Sequence, residues 1–125
     1  MNGGDTFFIE KRGINDHLMV VISDRNADEA IIVAVTVTTL TATKEQVCTL
    51  RPGDHPAISR DSCVSYLHAR SIRRAEFERW QAADLIRVSR PVSAEVLRRI
   101  RLGAALSRFI PEAILDVLEA QDLLD

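Results

Sequence analysis

Apolar, β-branched runs alternate with short polar breaks over the first half of the chain, and the period changes after about residue 70. TFFIE (6–10), HLMVVIS (17–23) and AIIVAVTVTT (30–39) are rich in Val, Ile, Thr and aromatic residues, and Gly, Asn or Asp clusters bound each of them. These runs predict strands, because branched side chains fit a pleated surface and the flanking residues suit turns. KRGIND (11–16) and DRNADE (24–29) read as connecting loops, and QVCTL (46–50) as a shorter strand entering a turn. In SCVSYLHA (62–69), Cys63, Ser65 and Leu67 alternate with Ser62, Val64, Tyr66 and His68, which predicts a strand with two differently used faces.

Beyond that point the spacing is helical. Phe77, Trp80 and Ala83 in SIRRAEFERWQAAD (71–84) recur at three-residue steps, with Ser71 near the predicted start. LIRVS (85–89) reads as a last short strand stopped by Pro91. Ser93 is a suitable N-cap for a helix whose Val96, Leu97, Ile100 and Ala104 share one face. Pro111 fits the first turn of a final helix carrying Ile114, Val117 and Leu118 on one side and Glu112, Asp116 and Glu119 on another. Strands first and helices after predict a single α+β domain: a small β-barrel over about residues 4–90, then helices over about 93–124.

Composition narrows the class. A chain of 125 residues, 46% hydrophobic, supports one packed core. The first twenty residues contain no apolar signal segment, and the longest apolar run, residues 30–35, is too short to cross a bilayer. The chain therefore reads as soluble and cytoplasmic, with no membrane partner and with Cys48 and Cys63 as reduced thiols. Charge is unevenly spread: residues 60–110 hold eleven arginines against five acids, and residues 111–125 hold five acids and no base. A basic middle with an acidic tail suits either a polyanion-binding face or pairing within the fold.

Few spaced motifs carry chemistry. The sequence has no Cys-x-x-Cys, His-Glu-x-x-His, EF-hand or glycine-rich phosphate loop, so it implies no metal and no cofactor. His17, His55, His68 and Asp54 lie in separate segments that could converge, with His55, Asp54 and His68 as the set for metal-assisted hydrolysis, and Ser62 or Cys63 beside a histidine lacks a nucleophile elbow. In LRPGDHPAIS (50–59), Pro52, Gly53 and Asp54 satisfy a tight turn, and Pro56 biases His55 toward extended backbone. Turn geometry does not require that His55 be a histidine. The hydroxyls of TVTTLTATK (36–44) suit either an ordinary strand end or a phosphate site.

Taken in order, GDTFFIE, HLMVVIS, VTVTT, SYLHARSI and the helix after Ser93 resemble the MazF/PemK-like toxins of bacterial toxin–antitoxin systems, over roughly residues 3–107. The likeness is greatest to a branch with a Gly-Asp-His-Pro turn and a Ser-x-Val-x-Tyr strand, here Gly53 to Pro56 and Ser62 to Tyr66. The resemblance implies an SH3-like barrel, often a homodimer, that cleaves single-stranded RNA without a metal and is silenced by an antitoxin protein. In that chemistry the ribose 2′-OH attacks the adjacent phosphate, which requires a base, an acid and donors for the developing charge. The family's catalytic threonine falls at Thr38, whereas its arginine position is occupied by His17, followed by Leu18 instead of proline.

Two readings follow. In the first, His17 and His55 share acid and base roles, and Thr38 donates to the scissile phosphate. An arginine from elsewhere, Arg51 first and then Arg60 or Arg70, supplies the fixed charge, and Thr39, Asp54, Ser62 and Tyr66 contact the substrate. In the second, the barrel has no catalytic activity and binds a protein or a nucleic acid.

Overall fold

Among the residues described by the computed structural model, 1–10 and 17–124, the branched runs become strands and the helical spacings become helices. Strand β1 is Thr6–Ile9, β2 Met19–Val21, β3 Ile31–Thr39, β4 Thr49–Leu50 and β5 Ser62–Arg73. Helix α1 (Arg74–Ala82) follows, then β6 (Ile86–Ser89), α2 (Ala94–Leu106) and α3 (Glu112–Ala120). The loop expected at 11–16 lies outside the described residues. The domain is α+β, as its pattern of elements predicts.

The six strands form one antiparallel sheet in the order β4-β5-β3-β2-β1-β6. The sheet is not closed into a barrel, in contrast to the expectation from short, evenly spaced strands. β4 contributes only two ladder pairs and β6 pairs only with β1, so the two edges do not meet. β3 lies at the centre and is buried on both faces over most of its length.

Those two faces are covered by different helices. Val33, Val35 and Val37 join Val20, Ile22, Val64 and Tyr66, beneath Val96, Ile100 and Ala104 of α2 and Ile114 and Leu118 of α3. Ile32 and Ala34, on the opposite face, join Phe7, Met19, Val21 and Ile72 beneath Phe77 of α1. Phe7 and Phe77 meet edge to face at 5.0 Å. Each such side chain contributes about 1.5–3 kcal/mol when fully buried. α3, with its acidic outer side, is thus a packed amphipathic helix.

Local signals account for most boundaries. Ser93 caps α2, its Oγ accepting from the Val96 N–H at 3.1 Å. Ser71 is not a cap: it is the third residue from the end of β5, which runs directly into α1 through Arg73 without a side-chain cap. Pairing of Ile31 with Arg73 and Val33 with Ser71 holds these residues in the sheet and overrides the helical spacing. Of the predicted α1 stripe, Phe77 is buried and Trp80 half-buried, while Ala83 is exposed.

One glycine is fixed by packing. The Tyr66 hydroxyl crosses from β5 to α2 and donates to the Ile100 carbonyl at 2.6 Å. A Cβ on Gly103 would lie 2.2 Å from that hydroxyl and 3.0 Å from the Cys48 Cβ, so only glycine lets strand and helix approach this closely.

Candidate active-site cleft

The even-numbered positions of β3 share one face, and their character changes along the strand. Ile32 and Ala34 lie beneath α1, whereas Thr36 and Thr38 line an open cavity of about 880 Å³. Burial of one half of this face and exposure of the other follow from helix length: nine residues of α1 cover only the Ile32 end. The opposite face is buried at Val33, Val35 and Val37 and opens only at its end, where the exposed Thr39 borders a smaller cavity.

His17 reaches the same cleft through sheet register. Met19 pairs with Thr36 and Val20 with Val35, and the Val37 N–H bonds to the Leu18 carbonyl at 2.8 Å. Continued to residue 17, this register sets His17 opposite Thr38, where side chains of directly facing residues are neighbours. On the other side of β3, Thr36 faces Ser65 and Thr38 faces Cys63. His17 is exposed, and His17 and Thr38 both line the large cavity and a second one of about 160 Å³ beside it.

The cleft holds cations and hydroxyls. Lys44, in the loop after β3, donates from Nζ to Thr38 Oγ1 at 3.0 Å and to the Thr39 carbonyl at 2.8 Å. Neither acceptor is charged, so the ammonium remains available to an anion. Arg70 lines the large cavity with its guanidinium 5.6 Å from the centre of the Trp80 ring, and Arg60 lines the small one. Among the described residues Glu45 is the carboxylate that lines the large cavity, and it is occupied by the Ser107 hydroxyl at 2.7 Å and the Arg108 N–H at 2.8 Å.

A bulge in β5 brings a further pair into the cavity. Ala34 faces Arg70 and Thr36 faces Ser65, so two residues of β3 span five of β5. Within the bulge Tyr66 and Ala69 turn into the core, while Leu67 and His68 turn outward. Ser65 Oγ and His68 Nδ1 are 2.7 Å apart. Burial raises the Cys63 thiol above its ordinary value, more than Lys44 lowers it, so this cavity-lining cysteine is not an activated thiolate.

The Gly-Asp-His-Pro turn lies elsewhere, which corrects the expectation that His55 shares a cleft with His17. His55 is 2% exposed and lines neither cavity. Its Nδ1 accepts from the Ala57 N–H at 3.0 Å, and its Nε2–H donates to the Arg90 carbonyl at 2.7 Å. Thr6 Oγ1 donates to the same carbonyl at 2.6 Å and lies 3.4 Å from Nε2. The imidazole pins the turn to the ends of β1 and β6, and both ring nitrogens are used.

The other expected residues divide between cleft and scaffold. Asp54 caps its own turn, Oδ2 accepting from the Arg51 N–H at 2.8 Å, and its Oδ1 faces Arg99 of α2 at 3.5 Å. Gly53 supplies the positive φ of 105° that the turn requires. Arg51 is exposed and lines neither cavity. Tyr66 is buried, its hydroxyl committed to Ile100, so it forms the floor behind the cleft and offers no hydrogen bond to a substrate. Thr39 and Ser62 line the small cavity, where the Ser62 hydroxyl donates to the Arg60 carbonyl at 2.9 Å.

Lys44, Ser65 and His68 complete the cleft without having been singled out for it by the sequence. The alternation of Thr36 and Thr38 signals a polar strand face, but nothing in one dimension ties it to a loop lysine or to a bulge. Among the described residues no group of three or more His, Cys, Asp or Glu side chains is arranged to hold a metal ion, so Asp54, His55 and His68 do not converge on one. No helix of the described residues is long and apolar enough to cross a membrane. The sequence matches no family model and no curated protein.

Proposed function

We propose that this chain is a metal-independent endoribonuclease of the MazF/PemK-like kind, an SH3-like domain that cuts single-stranded RNA in the cleft over Thr36 and Thr38. The observation that carries this reading is the placement of His17 opposite Thr38 at the junction of two cavities, with Lys44 Nζ on the Thr38 hydroxyl. A phosphate seated there takes hydrogen bonds from Thr38 and Lys44, which stabilise the charge that develops as the 2′-OH attacks. Lys44 supplies the fixed positive charge that a histidine in the family's arginine position does not guarantee. Arg60 and Arg70, one in each cavity, suit the flanking phosphates, and Ile9 and Phe109 offer apolar surface to the bases. As a toxin of this kind it would act in the cytoplasm as a homodimer and be neutralised by an antitoxin protein.

The test is incubation with mixed single-stranded RNA in EDTA, followed by mapping of the cleaved ends. Discrete cuts ending in 2′,3′-cyclic phosphate, abolished in Thr38→Ala, are the expected result. Intact RNA with purified, folded protein overturns the reading. A non-catalytic binding role draws support from the exposed Leu67 and Phe109 on the cavity rim. Retention of uncleaved RNA or of a peptide in that same assay selects it.

A further inference from the structure

The cleft places a second histidine where the sequence had suggested His55. His68 lines the same cavity as His17 and Thr38, is exposed, and is carried on the β5 bulge, a device that re-aims side chains beside functional sites. We propose that His68, oriented by Ser65, is the base that takes the proton of the attacking 2′-OH, with His17 as the acid on the leaving oxygen. This assignment rests on reading the cleft as an RNA-cleaving site.

Two observations, the Ser65 contact and the charge of the cavity, support the pairing. Ser65 Oγ lies 2.7 Å from His68 Nδ1, and Ser65 faces Thr36 across the ladder, so the serine is fixed by the sheet and in turn fixes the ring. An Nδ1–H donated to Ser65 leaves Nε2 with the lone pair that a base requires. The cations of the cavity, Lys44 and Arg70, mark where the phosphate is drawn, so the histidine works beside an anion. His55 cannot fill this role, since both of its nitrogens are bonded within the scaffold.

The step balances within the cleft and the RNA. The 2′-OH proton passes to His68 Nε2 as O2′ bonds to phosphorus. The bond from phosphorus to O5′ breaks, and O5′ takes a proton from the His17 imidazolium. The products are a 2′,3′-cyclic phosphate and a 5′-hydroxyl, and solvent exchange resets both rings. Ser65 is a positioning residue, because it acts through His68.

The experiment measures single-turnover cleavage of a short fluorescent RNA in EDTA, alongside binding of its 2′-O-methyl analogue, which cannot be cut. His68→Ala is expected to slow cleavage by about 10²–10⁴-fold, the usual contribution of a positioned acid or base, with analogue binding unchanged. Added imidazole should restore part of the rate, which a merely structural side chain would not allow. Ser65→Ala should lower kcat by a smaller factor at unchanged KM, and Ser65→Thr should keep it. Wild-type cleavage by His68→Ala, with His17→Ala inactive, overturns the role of His68 and leaves the cleft reading standing. Loss of analogue binding without imidazole rescue reduces His68 to a binding residue and overturns it equally. Absence of cleavage by the wild-type protein overturns both.

Discussion

His55 is 2% exposed with both ring nitrogens bonded, whereas His17, from a residue run of similar polarity, is exposed at the junction of two cavities. The surroundings of the two also differ. The turn that carries His55 closes on itself through Asp54 and Arg51 and is tied to Thr6 and Arg90, so its polar groups satisfy one another. The end of the sheet that carries His17 presents hydroxyls and the Lys44 ammonium, whose bonded acceptors are uncharged. A histidine is available for chemistry when its neighbours leave it a free nitrogen and an opening. Having an unusual residue in a turn is no evidence of either.

The largest expected effect separates the two histidines directly. His17→Ala should lower RNA cleavage by about 10²–10⁴-fold, and as a surface change it should leave stability within about 0.5 kcal/mol. His55→Ala should do the reverse. It removes the bonds to the Ala57 N–H and the Arg90 carbonyl and leaves a cavity in place of a buried ring, costing about 2–4 kcal/mol by urea unfolding, with cleavage per folded molecule retained. A His55 variant of full stability and no activity would break the comparison.

A smaller effect sharpens it from the packed side of the sheet. Gly103→Ala drives a methyl into the Tyr66 hydroxyl and should cost about 1–3 kcal/mol, as overpacking does. Tyr66→Phe should relieve part of that cost in the double variant, so the two changes should be less than additive in a denaturation cycle. Additive costs would show that Tyr66 is not what limits the approach of α2.

Alkaline pH probes the buried groups on both sides of the sheet. Burial raises the Tyr66 phenol and the Cys48 and Cys63 thiols above their ordinary values. The unfolded chain then sheds these protons before the folded one does, so the folded state binds more protons and stability falls as pH rises. The stability is fully present below about pH 8 and declines above the ordinary thiol and phenol ranges, by at most about 1.4 kcal/mol per pH unit for each group. Urea midpoints taken from pH 8 to 11 should fall, and Tyr66→Phe should flatten the upper part of the curve. An unchanged slope in that variant would contradict the assignment of Tyr66 to the sealed floor.

Asp54→Ala is the mildest test. Removing the carboxylate costs the turn its bond to the Arg51 N–H and the partly exposed contact with Arg99, about 1 kcal/mol together. Cleavage should be unaffected. A large loss of activity at unchanged stability would return the turn to the site.

Particular residues show where sequence reasoning reached its range. The branched run IIVAVTVTT announces a strand with a hydroxyl-rich end, and the structure leaves Thr36 and Thr38 open to the cavity. Ser93 and Pro111 set helix starts through local bonding and backbone preference: α2 begins after its predicted cap, and Pro111 stands at the N-cap of α3, one residue ahead of its predicted place in the first turn. The turn at Pro52–Asp54 is likewise local. Helical spacing misled at Ser71, because pairing with β3 extends β5 to Arg73.

The sequence by itself determined the class of most segments, the α+β order and the turn, since all of these depend on preferences within a few residues. Tertiary structure alone decided which polar residues meet. His17 reaches Thr38 through the β2–β3 register, His68 reaches the cleft through a bulge opposite Val35, and Lys44 reaches Thr38 because its loop folds back. It also decided that His55 is consumed by Arg90, a carbonyl thirty-five residues away. Whether an imidazole is free or bonded depends on the partners that distant segments deliver, and a one-dimensional pattern carries no record of them.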